Sequence, residues 1–190
     1  MTKVKSVNTV SVKDVLGADV LASGTLTGRR VLCRLIERLA DLEPGPLFLD
    51  FSSVPTDTAS FLREAVLAFR SYVLQFAPGL YPVVANASEA ILNDIETVLE
   101  HRKDALVACR LVDRRIVDVR VLGPLDPGLA RALHCVRLRV GVTAGELAKA
   151  SKEEISAAAW HNRLTILSRR GLVIADGGKP ARYRFVLDSP

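Results

Sequence analysis

The chain has 190 residues, 49% hydrophobic and 25% charged, with 12 glycines and 9 prolines. That is enough apolar material for one domain or two, since domains commonly run ~100–150 residues, and it excludes a disordered or low-complexity polymer. The formal net charge of +5 is unevenly placed: through Gly123 the 15 Lys and Arg balance 15 Asp and Glu, whereas from Pro124 onward 11 cations face 6 acids.

No stretch reaches the ~18 uninterrupted apolar residues of a membrane span, and "MTKVKSVNTVSV" carries no apolar signal core, so the expected location is the cytoplasm, with no membrane partner. Cys33, Cys109 and Cys135 are an odd number at unrelated spacings, each inside an apolar pattern. They are expected as buried, reduced thiols rather than a disulfide or a metal cluster.

In chain order, Ser6 to Val20 alternates enough to predict one or two strands. "SGTLTGRRVLCRLIERLADLEPG" predicts a helix with Thr27 as N-cap and Leu32, Leu35, Ile36 and Leu39 on one face, ended by Pro44-Gly45-Pro46. Leu47 to Phe51 reads as a buried central strand. "TDTASFLREAVLAFRSYVLQFAPG" predicts a long helix burying Phe61, Leu62, Ala65, Phe69 and Tyr72 or Val73. "LYPVVAN" is a second strand, and "SEAILNDIETVLEHRK" a helix capped by Ser88 with Ile91, Ile95, Val98 and Leu99 inward. "ALVACRLV" and "RRIVDVRVLGP" predict two strands in a hairpin around Asp113-Arg114. Alternating strands and helices predict an α/β layer with a largely parallel or mixed sheet.

Gly123-Pro124, with Asp126-Pro127 just beyond, marks the expected boundary, giving domains 1–123 and 124–190. Beyond it lies a helix with Leu129, Leu133 and Val136 on one side, then a second helix, "AGELAKA", with Thr143 and Glu146 as a capping box. "EEISAAAWHNRLTILSRR" predicts a longer third helix, with Ile155, Ala159 or Trp160, Leu164 and Leu167 buried and Gly171 ending it. "LVIADGGKPARYRFVL" predicts a strand, an Asp-Gly-Gly turn and a strand.

This order, with "TAGELAKA", "NRLTILSRRGLV" and the basic "ARYRFV", resembles the winged helix-turn-helix family over about 65 residues. The resemblance implies a small α+β domain whose third helix enters the major groove of duplex DNA while the wing touches the flanking backbone. With the apolar stripe inward, Ser156, Ala157, His161 and Asn162 point out from the first half of that helix. Asn suits adenine's edge, Ala a thymine methyl, and His and Ser bases or phosphates. Arg163, Arg169, Arg170, Lys179, Arg182 and Arg184 are expected phosphate contacts. A solvated helix face also fits His161-Asn162-Arg163, Glu153 and Glu154 would repel phosphate, and Trp160 reads as core.

In the first domain, Asp50-Phe51, Val54, Ser60-Phe61 and Glu64 make a "DF..V....SF..E" pattern that resembles STAS-like domains, a group that includes anti-sigma factor antagonists. The resemblance implies an α/β sheet with packed helices that docks a protein partner and is switched by phosphorylation at this turn. Asp50, Thr56, Thr58 and Ser60 are the corresponding residues, although alanine stands at position 59, where the antagonists' phosphorylated serine usually falls. Helix capping accounts for such hydroxyls equally well.

No GxGxxG, P-loop, GxSxG, HExxH or CxxC motif is present. No enzyme activity, cofactor or metal is expected. The combined expectation is a bacterial-type transcriptional regulator, a homodimer on duplex DNA because useful specificity needs two half-sites. A protein-interaction module in a signalling or defence assembly, and a small-ligand sensor, are the rival readings.

Overall fold

The computed structural model describes residues 8–17, 22–40, 42–54, 57–113, 115–151 and 155–188. The chain divides into two compact units, Met1–Pro124 and Leu125–Pro190.

The first unit is built on a five-stranded sheet in the sequential order β1 (Asn8–Ser11), β2 (Gly45–Asp50), β3 (Leu80–Ala85), β4 (Leu106–Val112) and β5 (Arg115–Leu122). The first four strands are parallel, and β5 returns antiparallel to β4. Parallel neighbours need crossover connections, which here carry α1 (Val12–Leu16), α2 (Thr25–Glu37), the long helical segment Ala59–Phe76 and α5 (Glu89–Arg102). Val12, Val31, Phe61 and Ile91 from these helices join Leu47, Leu49, Val84 and Leu106 in one core. Phe48, Val83 and Val107, which alternate with those strand residues, are buried as well. Burial on both faces is why the central strands read as continuous apolar runs.

Local chemistry explains where the elements differ from expectation. Instead of a second strand, Val12–Leu16 is helical: Ser11 Oγ accepts a hydrogen bond from the Asp14 amide, and Val12, Val15 and Leu16 meet the core at helical spacing. Residues 18–20 of that expected strand lie outside the described residues. Helix α2 starts at Thr25 behind Gly24 (φ 78°), so Thr27 lies within the helix and caps nothing. Its innermost line is Gly28, Val31 and Leu35, with Leu32, Ile36 and Leu39 partly buried.

The long helix is not uniform. It runs as α3 (Ala59–Leu62), a π-helical turn (Arg63–Leu67) and α4 (Ala68–Phe76). The π turn lets Ala65, Val66 and Leu67 all be buried, and Arg70 follows at only 5% exposure. The Arg70 guanidinium is satisfied by the Asp104 carboxylate and, at 2.8 Å, the Ala105 carbonyl.

In the second unit, α6 (Pro127–Arg137) is capped by Asp126, whose Oδ1 accepts from the Gly128 and Leu129 amides. Helix α7 (Ala144–Ala150) carries the Thr143/Glu146 capping box, and α8 (Ala157–Arg169) follows. Strands β6 (Val142–Thr143), β7 (Val173–Ala175) and β8 (Arg182–Phe185) form an antiparallel sheet in the order β6-β8-β7. Strand β6 is too short to leave an alternating pattern. Helix α8 begins after the expected point because Ser156 is its cap, its Oγ accepting from the Ala159 amide; Glu153 and Glu154 lie outside the described residues. Leu129, Leu133, Val136, Leu147, Trp160, Leu164, Leu167 and Phe185 form the interior.

The cysteines divide. Cys109 is buried, and burial pushes its thiol up to about 12, so it is inert as a nucleophile. Cys33 is exposed and Cys135 half-buried, contrary to expectation. Cys33 sits across α2 from the Val31/Leu35 line, on the solvent side.

Candidate nucleic-acid interface

Burying Trp160, Leu164 and Leu167 turns the opposite side of α8 to solvent. That side carries His161, Asn162, Ile166 and Arg169, all exposed, and half-buried Thr165; Ala157 is exposed at the start. No carboxylate occurs between Ala157 and Arg169.

The other expected contacts are deployed differently. Ser156 Oγ is occupied as the cap. Arg163 turns inward: its guanidinium carbon lies 5.5 Å over the Trp160 ring, and its Nη1 is buried with no hydrogen-bond partner among the described residues. Its Nε lies 3.2 Å from where a side chain on Gly128 would begin, a close approach that glycine permits. Arg170 is half-buried at the helix end. Lys179 is exposed in the long connection between β7 and β8.

Strand alternation separates Arg182 and Arg184 of β8 from the helix. On β8, Tyr183 and Phe185 point inward while Arg182 and Arg184 point to the other face. Arg182 donates to Glu146 Oε1 at 2.9 Å. The Thr143 amide, and then Arg182, hold the Glu146 carboxyl below its usual range. Arg184 donates to the Asp188 carbonyl. The Asp-Gly-Gly turn is organised by Asp176, whose Oδ1 accepts from the Gly178 and Arg182 amides at 3.0 and 2.9 Å, keeping its carboxyl low.

Two residues play parts that the sequence did not assign to them. Tyr183 Oη lies 3.3 Å from His161 Nδ1, joining β8 to α8. Glu146 read as a helix cap and proves to be Arg182's partner too. The only trace of Tyr183's role is its inward register between two arginines.

In the first unit, Asp50 fastens three strand ends. Its Oδ1 accepts from the Ser52 amide and from Asn86 Nδ2, its Oδ2 from Ser52 Oγ, and Asn86 Oδ1 accepts from the Leu111 amide. Thr58 Oγ1 accepts from the Gly24 and Phe61 amides and lies 3.1 Å from Ser60 Oγ, so both hydroxyls belong to the start of α3. Thr56 lies outside the described residues. Asp57, beside them, passed unnoticed as part of a capping sequence. Neither of its carboxylate oxygens has a hydrogen-bond partner among the described residues, and burial, reinforced by Asp94, raises its pKa to about 7.

No helix among the described residues is long and apolar enough to cross a membrane. No protein-family model matches the chain, and no curated protein matches it.

Proposed function

We propose that the chain is a DNA-binding transcriptional regulator in which residues 125–190 are a winged helix-turn-helix and the first unit is a STAS-like domain that docks a partner or receives a signal. The observation that carries this reading is α8: its solvent side carries exposed His161, Asn162 and Arg169, with half-buried Thr165 and exposed Ile166 among them, and no acid along the helix. A helix of this kind fits a major groove, where amide and imidazole groups meet base edges and the terminal arginine meets phosphate. The element order supports it, with α6, α7 and α8 followed by a hairpin whose central strand also pairs β6. So does the placement of the whole charge excess from Pro124 onward. For the first unit the support is the parallel sheet, with Asp50 at a strand end and a long helix opening at Ser60-Phe61.

The test is duplex binding across a salt series. Neutralising several phosphates makes affinity fall steeply between about 50 and 200 mM salt. Undetectable binding at the low end, or binding indifferent to salt, rejects the reading.

A second reading, a protein-docking module, is favoured by two features. Leu138 and Val140 are 71% and 88% exposed in the connection between α6 and β6, and Arg182 is already neutralised by Glu146. It is the reading that survives if the salt series shows no duplex binding.

A further inference from the structure

Resting on the duplex-binding reading, we infer that Tyr183 is a positioning residue that fixes the His161 imidazole so that its outward nitrogen, Nε2, always donates a hydrogen bond. The acceptor it would select is a purine N7, a guanine O6, a thymine O4 or a phosphate oxygen.

Tyr183 is rigidly held. It sits in the central strand of the small sheet, paired with Val142 on one side and Ala175 on the other, and is only 3% exposed. A hydroxyl so deeply placed needs a partner, and among the described residues that partner is His161 Nδ1, at 3.3 Å. The rings meet edge to face with centroids 6.4 Å apart, which sets the imidazole plane as well as its distance. His161 itself is exposed, in the second turn of α8, next to Asn162.

The proton positions follow. When the imidazole is neutral, the hydroxyl proton has Nδ1 as its acceptor, so the ring's own proton resides on Nε2. The opposite tautomer would leave the buried hydroxyl proton without an acceptor among the described residues. When the imidazole is charged, Nδ1–H donates to Tyr183 Oη and Nε2–H again faces outward. In both states the exposed nitrogen is a donor. In the major groove a donor at this position suits purine N7, guanine O6 and thymine O4 and is mismatched to the amino groups of adenine and cytosine. Asn162, carrying both a donor and an acceptor, complements it.

The experiment begins with the full chain alone. Nitrogen-15 NMR of the neutral His161 ring is expected to show the Nε2–H tautomer, and Tyr183→Phe is expected to raise the Nδ1–H share. Predominance of Nδ1–H in the unsubstituted protein, or no response to Tyr183→Phe, overturns the inference before any nucleic acid is added. If Tyr183→Phe fails to fold, the spectrum of the unsubstituted protein decides.

Binding is then measured on a duplex selected from a randomised pool. Tyr183→Phe, and His161→Ala at the exposed partner, are each expected to weaken it about three- to tenfold, the effect of one hydrogen bond. A duplex carrying 7-deazapurines and one carrying methylphosphonates distinguish the acceptors: the analogue that erases the difference between the parent and His161→Ala names base or backbone. If no analogue, including 6-thioguanine for guanine and 4-thiothymine for thymine at the carbonyl acceptors, alters that difference, the acceptor assignment falls. The expected tautomer combined with no binding to any duplex overturns the duplex reading, and the named acceptor with it.

Discussion

A buried carboxyl group such as that of Asp57, with no hydrogen-bond partner among the described residues, makes stability depend on pH in a direction opposite to most acids. Its pKa is raised from 3.8 to about 7, first by burial and then by repulsion from Asp94. The folded chain therefore holds this proton more tightly than the unfolded chain. The resulting stability is fully present below about pH 4 and is lost as pH rises towards about 7. Asp57→Asn is expected to remove that loss and to be more stable than the parent at about pH 8, by about 1–2 kcal/mol once screening at a partly exposed site is allowed for. Urea unfolding at about pH 5 and about pH 8 measures it; equal stabilities of parent and variant at the higher pH contradict the assignment.

Glu146 presents the converse case, a carboxylate with two duties. Its Oε2 accepts from the Thr143 amide at 2.8 Å while its Oε1 engages Arg182. Glu146→Gln retains an oxygen for the cap but releases the arginine. If Arg182 is a phosphate ligand, the variant binds duplex more tightly and its log-log salt slope steepens by about 0.9, one further phosphate. An unchanged slope removes Arg182 from the interface.

At the scale of elements, contact between helices outweighs helix propensity. Replacing glycine by alanine inside a helix normally stabilises by about 1 kcal/mol. At Gly28 of α2, however, an added Cβ would lie 2.8 Å from Glu64 Cβ and 3.2 Å from the Phe61 carbonyl oxygen, where the long helix crosses beneath. Gly28→Ala is therefore expected to destabilise by about 1–3 kcal/mol through overpacking. Thermal unfolding reads the sign directly, and a raised midpoint would mean the two helices part at no cost.

The long helices and buried strands were legible because each repeats apolar residues at its own period over several turns or pairs. The exceptions share a cause. Strand β6 is two residues long, α1 spans five, and the π turn shifts the buried face within an otherwise regular pattern. None is long enough for a period to emerge. The candidate site was legible only in part for a related reason. Helical spacing placed Ala157, His161 and Asn162 on the solvent side of α8, but it could not say that Arg163 folds inward over Trp160 or that Arg182 meets a carboxylate on α7.

At the scale of the whole molecule, a neutral first unit is joined to one holding all the excess positive charge. Under the proposed function, one α8 reads few base pairs, and the chain is expected to bind a selected duplex as two copies on two half-sites. Sedimentation of the complex counts them. A one-to-one complex of full affinity would remove the symmetric assembly while leaving the groove contact in place.

Periodicity, caps and charge placement are local properties, and from them alone follow the alternation of strands and helices, the change of character near Pro124 and the exposed polar side of α8. Pairs such as His161–Tyr183, Arg70–Asp104 and Arg182–Glu146 stand 22 to 36 residues apart, at separations no secondary-structure period relates. They came into contact through packing of the elements that carry them. The chemistry of these pairs therefore emerged at that level, because a side chain's partner depends on which faces are pressed together when apolar surface leaves water.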